Sequence, residues 1–349
     1  MRIVVLFLAL ASPIAFGQGE NLKSEVIRSI DRQQQDLVAM ADAIWEYAET
    51  ALKETRSSEL LARHAEAHGF TVLRDVAGLP TAFLASFGSG RPVIGVMGEF
   101  DALPGLSQQA TPKREPLAEG AAGHGCGHNL FGPASLGAAI ALKERIEAGQ
   151  IQGTIRFYGT PAEESVGGKL YMVREGLFDD LDVALAWHPS NETRSDTEGS
   201  QALVDFVVEF RGQAAHAAFD PWNGRSAQDG LEIFTFSLNL MREHVRPTVR
   251  MHYAMTRGAQ VPNVVPESAT LWCWLRDSRH AEVDRLLERA RDMAKGAALA
   301  AGVTSELRVQ SGDYEMLVNL RGQRMVHENL VRLGPIPFDE QEQEFARAI

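Results

Sequence analysis

Four short stretches of the sequence carry side chains that suit metal chemistry. They are GEFDALPG at 98–105, GHGCGHN at 123–129, GTPAEE at 159–164 and AWHP at 186–189. Together they offer thiolate, imidazole and carboxylate groups. Thiolate and imidazole suit zinc, whereas carboxylates suit harder ions such as manganese. The four stretches therefore predict a site for a divalent metal.

The loop GHGCGHN holds the two strongest candidate ligands, Cys126 and His128. Flanking glycines let the backbone turn tightly and aim both side chains at one point. Two alternatives stay open at this stage. Cys126 would form a disulfide, or a redox pair, with Cys273, the other of the two cysteines. The loop would otherwise be a glycine-rich turn without a ligand.

The adjacent carboxylates Glu163 and Glu164 suit hydrolysis. Neighbouring residues in an extended segment point in different directions, so one carboxylate is able to bind a metal while the other faces the substrate water. Metal-assisted hydrolysis needs a polarised water and a general base that takes its proton. The plain alternative is a solvated acidic pair at a strand end.

Two further residues follow predicted strands. His188 comes after the apolar run VALAW and before Pro189, where the chain must leave the sheet. Asp101 follows the strand that ends near Met97 and is a candidate to hold the second nitrogen of a metal-binding imidazole. Taken alone, His188 is an ordinary histidine and Asp101 a turn residue.

The elements that must position these residues alternate between strands and helices. Short apolar strands are predicted at 70–73, 82–87, 93–97, 154–158 and 183–187, and helices at 24–49, up to His68, at 133–146 and at 169–175. This order predicts an α/β fold with a mixed sheet covered by helices. Sites in open α/β sheets assemble at the carboxyl ends of the strands, which is where the four stretches lie.

From about Ala202 the order changes to strand, helix, strand, strand, helix, strand, which predicts an inserted βαββαβ (ferredoxin-like) domain. We therefore expect a signal peptide at 1–17, the first part of a catalytic metal-binding domain at 18–199 and the inserted domain at 200–311. Residues 312–349 begin new helices and read as the start of a returning catalytic segment.

Composition and charge indicate a globular protein and argue against some kinds of partner. With 349 residues, 45% of them hydrophobic, the chain is long enough for one large core or two smaller ones. The net charge of −12, without basic runs, argues against nucleic acid or a membrane surface as partner.

Arg2 and the apolar run Ile3 to Phe16 predict a cleaved export signal and a periplasmic or secreted protein; an uncleaved membrane anchor is the alternative.

The four stretches, together with GQAAHAAFDPWNGRSA at 212–227 and VPNVVPESATLWCWLRD at 261–277, resemble a family of metallo-amidohydrolases. That family includes hippurate hydrolases, auxin-conjugate hydrolases and aminobenzoyl-glutamate hydrolases. The resemblance runs from about Asp31 to Ile349. It implies two divalent metal ions, manganese or zinc, and a lid and dimerisation role for the inserted domain.

The resemblance also implies a role for each matching residue. The metal ligands are Cys126, His128, Glu164 and His188. The catalytic residues are Glu163 as general base, Asp101 as the carboxylate that orients the site, and His216 as a stabiliser of the oxyanion. The substrate-binding residues are Asn263 and Arg276, with Arg276 the counterion of a substrate carboxylate. His124 supports the loop without binding metal.

We therefore expect a metal-dependent amidohydrolase of an N-acyl amino acid, most closely one like aminobenzoyl-glutamate. The alternatives are a dipeptidase or another N-acyl amino acid hydrolase. We expect a homodimer, or a heterodimer with a related subunit. Related enzymes have a further C-terminal segment with another metal-binding histidine, and this chain stops in DEQEQEFARAI. A truncated, non-catalytic protein that binds metal and dimerises is therefore the remaining alternative.

Overall fold

The computed structural model describes residues 14–349, which form two compact units. Unit 1 comprises the described residues up to Thr193 together with Pro337–Ile349, and unit 2 is Arg194–Ile336. The predicted signal peptide lies outside the described residues except for 14–17, which begin the first helix. Within 14–349, no helix has the length and apolar character needed to cross a membrane. The predicted domain boundaries stay predictions.

Unit 1 contains a mixed sheet and the helices that cover it. Its elements up to Thr193 are α1 (Ile14–Tyr47), α2 (Thr55–Ala67), β1 (Thr71–Arg74), β2 (Phe83–Ser89), β3 (Val93–Gly98), α3 (His128–Glu147), β4 (Gly153–Gly159), α4 (Gly168–Arg174) and β5 (Val183–Leu185). The five strands lie in the order β1-β2-β4-β3-β5. The α/β class and the mixed sheet predicted from the sequence are confirmed.

Three parallel strands determine where a site forms in unit 1. β3 pairs in parallel with both β4 and β5, while β2 runs antiparallel to β1 and β4. Gly98 at the end of β3 lies opposite Gly159 at the end of β4. The segments after β3, β4 and β5 therefore leave the sheet at one edge, and they carry the candidate residues.

The core of unit 1 is apolar and packed with aromatic rings. Phe83, Phe100 and Phe157 are fully buried between the sheet and the helices. The rings of Phe83 and Phe157 lie 5.6 Å apart, in a tilted arrangement that is favourable for aromatic pairs. This packing fixes the ends of the strands from which the site is built.

Helix α3 begins at His128, so the predicted start at Pro133 was wrong. Gly127 precedes the helix with φ of 81°, a left-handed conformation that glycine adopts without steric cost. Pro133 lies inside the helix, where its missing N–H removes one hydrogen bond but the helix continues. The earlier start places His128 in the first turn of α3.

Unit 2 contains a separate antiparallel sheet. Its elements are β6 (Ala202–Arg211), α5 (Ala227–Met241), β7 (Arg250–Arg257), β8 (Ser268–Asp277), α6 (His280–Ala301), β9 (Thr304–Asp313) and α7 (Leu320–Leu333); α8 (Glu340–Ala348) follows and belongs to unit 1. The strand order is β7-β8-β6-β9. α5 and α6 pack against this sheet, and Phe206, Phe210 and Phe234 are fully buried in the resulting core.

Candidate metal centre

His128 lies at the centre of the candidate site and is fully buried. Its Nδ1 is 3.1 Å from Oδ1 of Asp101 and 3.2 Å from the Asp101 carbonyl oxygen. Both of these atoms accept hydrogen bonds, so the arrangement assigns the ring hydrogen to Nδ1. In the neutral ring, Nε2 then presents a lone pair, which is the form in which histidine binds a metal.

Cys126 and His188 face His128 from the neighbouring segments. The Sγ atom of Cys126 is 3.3 Å from Nε2 of His188, and one ligand atom from each of the three residues lies within 4.8 Å of the others. The Nδ1 of His188 lies 2.8 Å from the Pro189 carbonyl, which again leaves Nε2 to the cluster. Trp187 donates a 3.1 Å hydrogen bond to Ser135 on α3 and so anchors the segment that carries His188.

The two glutamates after β4 make different contacts. Glu163 joins a second cluster with Glu99 and His128, again with ligand atoms within 4.8 Å. Glu164 belongs neither to this cluster nor to the cluster of Cys126, His128 and His188. Its backbone N–H donates to Oδ2 of Asp101 at 3.0 Å, and one of its carboxylate oxygens is buried without a hydrogen-bond partner. Asp101 thus connects His128 with the segment that carries both glutamates.

The carboxylates give the site a potential that favours cations. Burial lowers the pKa of His128, but contacts with Asp101 and Glu99 outweigh it and raise that pKa to about 10. Burial and the nearby Glu164 carboxylate raise the pKa of the Cys126 thiol to about 12. A divalent cation reverses this situation, because a coordinating thiol loses its proton.

Glu163 is a carboxylate with a raised pKa. Its side chain reaches solvent, yet the protein around the carboxylate removes enough water to raise its pKa, and the charge of Glu99 adds to the effect. A carboxylate with a raised pKa accepts a proton from water more readily and still releases it to a leaving group.

The residues present fit a bound metal ion. Nε2 of His128, Oε2 of Glu99 and Oε1 of Glu164 are buried and make no hydrogen bond. Leaving such atoms unpaired costs about 1–3 kcal/mol each, so native sites pair them with another group. Sulfur, imidazole and carboxylate donors are those that zinc and manganese take.

Two residues of this site were not among those predicted from the sequence. Glu99 is 6% exposed and lies two residues before Asp101, on the same side of an extended segment. Lys169, near the start of α4, makes an ion pair with Glu99. The alternation of Glu99 and Asp101 was a usable signal, but nothing in the sequence connects Lys169 with Glu99, 70 residues away.

His124 is part of the loop and lies beside the site. Its Nε2 lies 3.0 Å from the Ile44 carbonyl oxygen at the end of α1. Burial lowers its pKa to about 4, so the ring is neutral at physiological pH. This contact ties the metal-binding loop to α1. Both cysteines, Cys126 and Cys273, are free thiols.

Two predicted residues of unit 2 lie together. His216 forms an isolated bridge with Val264, and the Ala217 N–H donates to the Asn263 carbonyl at 3.0 Å. His216 is exposed, and its Nδ1 accepts a 3.3 Å hydrogen bond from the Ala218 N–H. Its Nε2 therefore carries the hydrogen and is available as a donor.

Arg276 lies elsewhere in unit 2. It is the ninth residue of β8, roughly 26 Å along the strand from Ser268 at about 3.3 Å per residue. The start of β8 is the end nearer Asn263, so within unit 2 the structure does not bring Arg276 to His216 and Asn263. The Arg276 guanidinium lies 4.8 Å from the centre of the Trp274 ring, and no ion pair of Arg276 is found among the described residues.

Comparison with known proteins also indicates a metal-dependent peptidase. Residues 95–326 match Peptidase family M20/M25/M40. The chain is 41% identical to a subunit of the p-aminobenzoyl-glutamate hydrolase of Escherichia coli K12, over 92% of this chain and 67% of that protein. It is 32% identical to human Xaa-Arg dipeptidase, over 90% and 72% of the two chains.

A solved structure shares the fold. It is the dinuclear metal-binding peptidase of the M20 family from Bacillus subtilis, with a TM-score of 0.66 and 20% identity over 87% of this chain and 81% of that one. The family match covers the segments that carry Glu99, Cys126, Glu163 and His188. The chain therefore belongs to Peptidase family M20/M25/M40 and is a metallohydrolase that acts on amide or peptide bonds.

Proposed function

We propose that this protein hydrolyses the amide bond of N-acyl amino acids, with acyl-glutamates of the aminobenzoyl type as the leading substrates. The observation that carries the proposal is the position of Glu163, a carboxylate with a raised pKa that groups with Glu99 and with His128, the residue shared with the cluster of Cys126, His128 and His188. The name of the E. coli relative supports the choice of substrate class.

Two divalent ions, manganese or zinc, are the proposed cofactors, with Cys126, His128, Glu164 and His188 as ligands. The dinuclear centre named for the B. subtilis peptidase supports this number. When bound, such ions polarise the amide carbonyl and make water a better nucleophile at neutral pH. Asp101 holds His128 in the tautomer that exposes Nε2.

Glu163 moves the proton in this proposal. Its carboxylate takes a proton from the attacking water and delivers it to the leaving nitrogen. The Nε2 hydrogen of His216 is the proposed donor to the oxyanion, because its Nδ1 already accepts a backbone hydrogen bond. Asn263 and Arg276 are the proposed substrate contacts, since the Arg276 guanidinium has no ion pair among the described residues and suits a carboxylate.

The test is hydrolysis by the purified chain loaded with manganese or zinc. Glu163→Gln is expected to reduce kcat for aminobenzoyl-glutamate at least 100-fold, because positioned general bases contribute about 10²–10⁴-fold, while the bound metal is retained. Glu175→Gln, an exposed glutamate at the end of α4, is the matched control and is expected to leave kcat unchanged.

Other outcomes of the same assay separate the alternatives. Hydrolysis of dipeptides ending in arginine in preference to acyl-glutamates would favour a dipeptidase, the second candidate, which the human relative supports. Metal binding without turnover of either substrate would favour a non-catalytic metal-binding protein. Equal rates for Glu163→Gln and the unmutated chain would contradict the proposed base.

We further propose that the protein dimerises through unit 2 and that it is exported. Along α5, Ile233, Phe236 and Leu240 are exposed at helical spacing and form one apolar stripe. β7 is an edge strand of the same unit. Two relatives that are named as hydrolase subunits support an assembly. The proposal of export depends on residues 1–17 alone.

A further inference from the structure

Glu99 is a buried carboxylate to which the proposed catalytic steps give no role. It follows β3 directly and is 6% exposed. The ammonium group of Lys169 binds its Oε1, whereas its Oε2 has no hydrogen-bond partner. Burying a carboxylate oxygen without a partner costs free energy. A group that pairs with this oxygen is therefore expected.

A polar atom close to that oxygen is also without a hydrogen-bond partner. Nε2 of His128 lies 2.9 Å from Oε2 of Glu99, but the pair does not have hydrogen-bond geometry, and both atoms are buried. The Nδ1 hydrogen points to the two acceptors of Asp101. When Nε2 carries no hydrogen, as in a metal-binding ring, the lone pairs of Nε2 and Oε2 face each other, and a positive charge, either a proton on Nε2 or a metal ion, must lie beside both.

The separation of the two atoms fits a shared metal ion. Two donors at right angles on one ion, each about 2.1 Å from it, are about 3.0 Å apart. Nitrogen of imidazole and oxygen of a carboxylate are common ligands of zinc and manganese. A proton on Nε2 is the other way to pair these atoms, as their distance of 2.9 Å allows, but neither atom makes a hydrogen bond here, which favours the metal ion.

We propose that Glu99 is a further ligand of the metal ion held by His128, binding through Oε2. The proposal rests on the metal site of the proposed function. It adds a carboxylate beside His128, which is also part of the cluster of Cys126, His128 and His188, whereas Glu99 itself groups with His128 and Glu163. Each carboxylate donor added to the site shifts its preference towards a harder ion such as manganese.

Lys169 is the positioning residue for this ligand. It neutralises one oxygen of Glu99, so that only the other oxygen is free to bind the ion. The start of α4 is fixed against the segment after β4, since a Cβ on Gly168 would lie 2.1 Å from the Pro161 carbonyl oxygen. The backbone that places Lys169 is thus connected to the backbone that carries Glu163.

The test measures metal binding by the full chain after chelation and reloading with cobalt(II) or manganese(II). Calorimetry gives stoichiometry and Kd, and the cobalt spectrum reports coordination and the Cys126 thiolate. Glu99→Gln is expected to raise the Kd of one ion at least tenfold and to change the d–d bands of cobalt. The thiolate-to-cobalt band is expected to remain. Lys169→Met is expected to weaken Kd by a smaller factor without changing the d–d bands, because the ligand remains.

Controls keep the result interpretable. Glu175→Gln is expected to match the unmutated chain in Kd and spectrum. Glu99→Asp retains a carboxylate with shorter reach and is expected to recover part of the affinity, which also covers the case in which Glu99→Gln fails to fold. A Kd within twofold of the unmutated value and unchanged d–d bands for Glu99→Gln would overturn the proposal.

The outcome is separable from that of the proposed function. A chain that binds metal through Glu99 but hydrolyses no amide leaves this proposal intact and contradicts the hydrolase. If the chain hydrolyses acyl-glutamates and Glu99→Gln binds both ions as tightly as the unmutated chain, the proposed hydrolase function stands and the role of Glu99 as a ligand is contradicted. Absence of metal binding by the unmutated chain overturns both.

Discussion

Asp101 illustrates how a single carboxylate organises the site. Oδ1 accepts from the Nδ1 of His128, and Oδ2 accepts from the Glu164 backbone N–H. The two oxygens therefore fix the tautomer of one candidate ligand and the backbone position of another. An asparagine has one acceptor and one donor in the same place, so one of these two contacts is lost unless His128 switches tautomer, which would put the ring hydrogen on the Nε2 that is meant to bind metal.

Asp101→Asn is expected to weaken the affinity for metal by about 10–100-fold, the usual effect of losing a carboxylate that orients a metal-binding histidine. Isothermal calorimetry with manganese(II) measures it. Asp182→Asn is the matched control. Asp182 also joins two strands, by accepting from the Val93 N–H at 2.7 Å, but at the opposite end of β3. It is expected to lower thermal stability and leave Kd unchanged; equal losses of affinity in the two variants would contradict this role of Asp101.

At the scale of elements, the site depends on how closely α3 approaches the end of β3. Gly132 on α3 has no room for a side chain, since a Cβ there would lie 2.9 Å from the Glu99 carbonyl oxygen. Gly137, one and a half turns later, faces the end of the Leu37 side chain instead. Backbone cannot move aside as a flexible side chain does, so the first contact sets the distance between α3 and the site.

Gly132→Ala and Gly137→Ala test this contact as a pair on one helix. Both changes raise helix propensity by about 1 kcal/mol. Gly137→Ala is expected to leave the melting temperature and metal affinity nearly unchanged. Gly132→Ala is expected to lower both, because α3 must move away from Glu99 and takes His128 with it. Metal titration and thermal melting measure the two effects, and equal behaviour of the two variants would show that the approach is not limiting.

At the scale of the whole molecule, the two units carry different parts of the proposed chemistry. The candidate ligands and the base are in unit 1, while His216, Asn263 and Arg276 are in unit 2. The apolar stripe Ile233, Phe236 and Leu240 is exposed on α5, and Phe236 alone is 64% exposed. Neighbouring apolar side chains of this kind mark surfaces that associate.

Phe236→Asp is expected to convert a dimer to a monomer, because it places a charge in the middle of the stripe. Light scattering coupled to size exclusion measures the mass of the unmutated chain and the variant. Leu299→Asp on α6 is the matched control, since Leu299 is 85% exposed but not part of the stripe. A monomeric unmutated chain, or a dimer that survives Phe236→Asp, would contradict assembly through this surface.

Sequence by itself determined the elements and the donor types. Apolar periodicity predicted the strands of both sheets, because burial requires that pattern, and the residues after those strands supplied thiolate, imidazole and carboxylate. It misplaced the start of α3, since a left-handed Gly127 and a tolerated Pro133 are decided by packing around them. The roles of Glu163, Glu164 and the unit 2 residues stay predictions.

Tertiary structure alone decided which atoms meet. The parallel pairing of β3, β4 and β5 brings three strand ends to one edge, so that residues far apart in the chain share one cluster. The contact between Glu99 and Lys169 is visible only in the folded cluster, because an ion pair between residues 70 apart leaves no periodic pattern in the sequence. The unpaired Nε2 of His128 and Oε2 of Glu99 are likewise consequences of burial and orientation, which depend on every element packed around them.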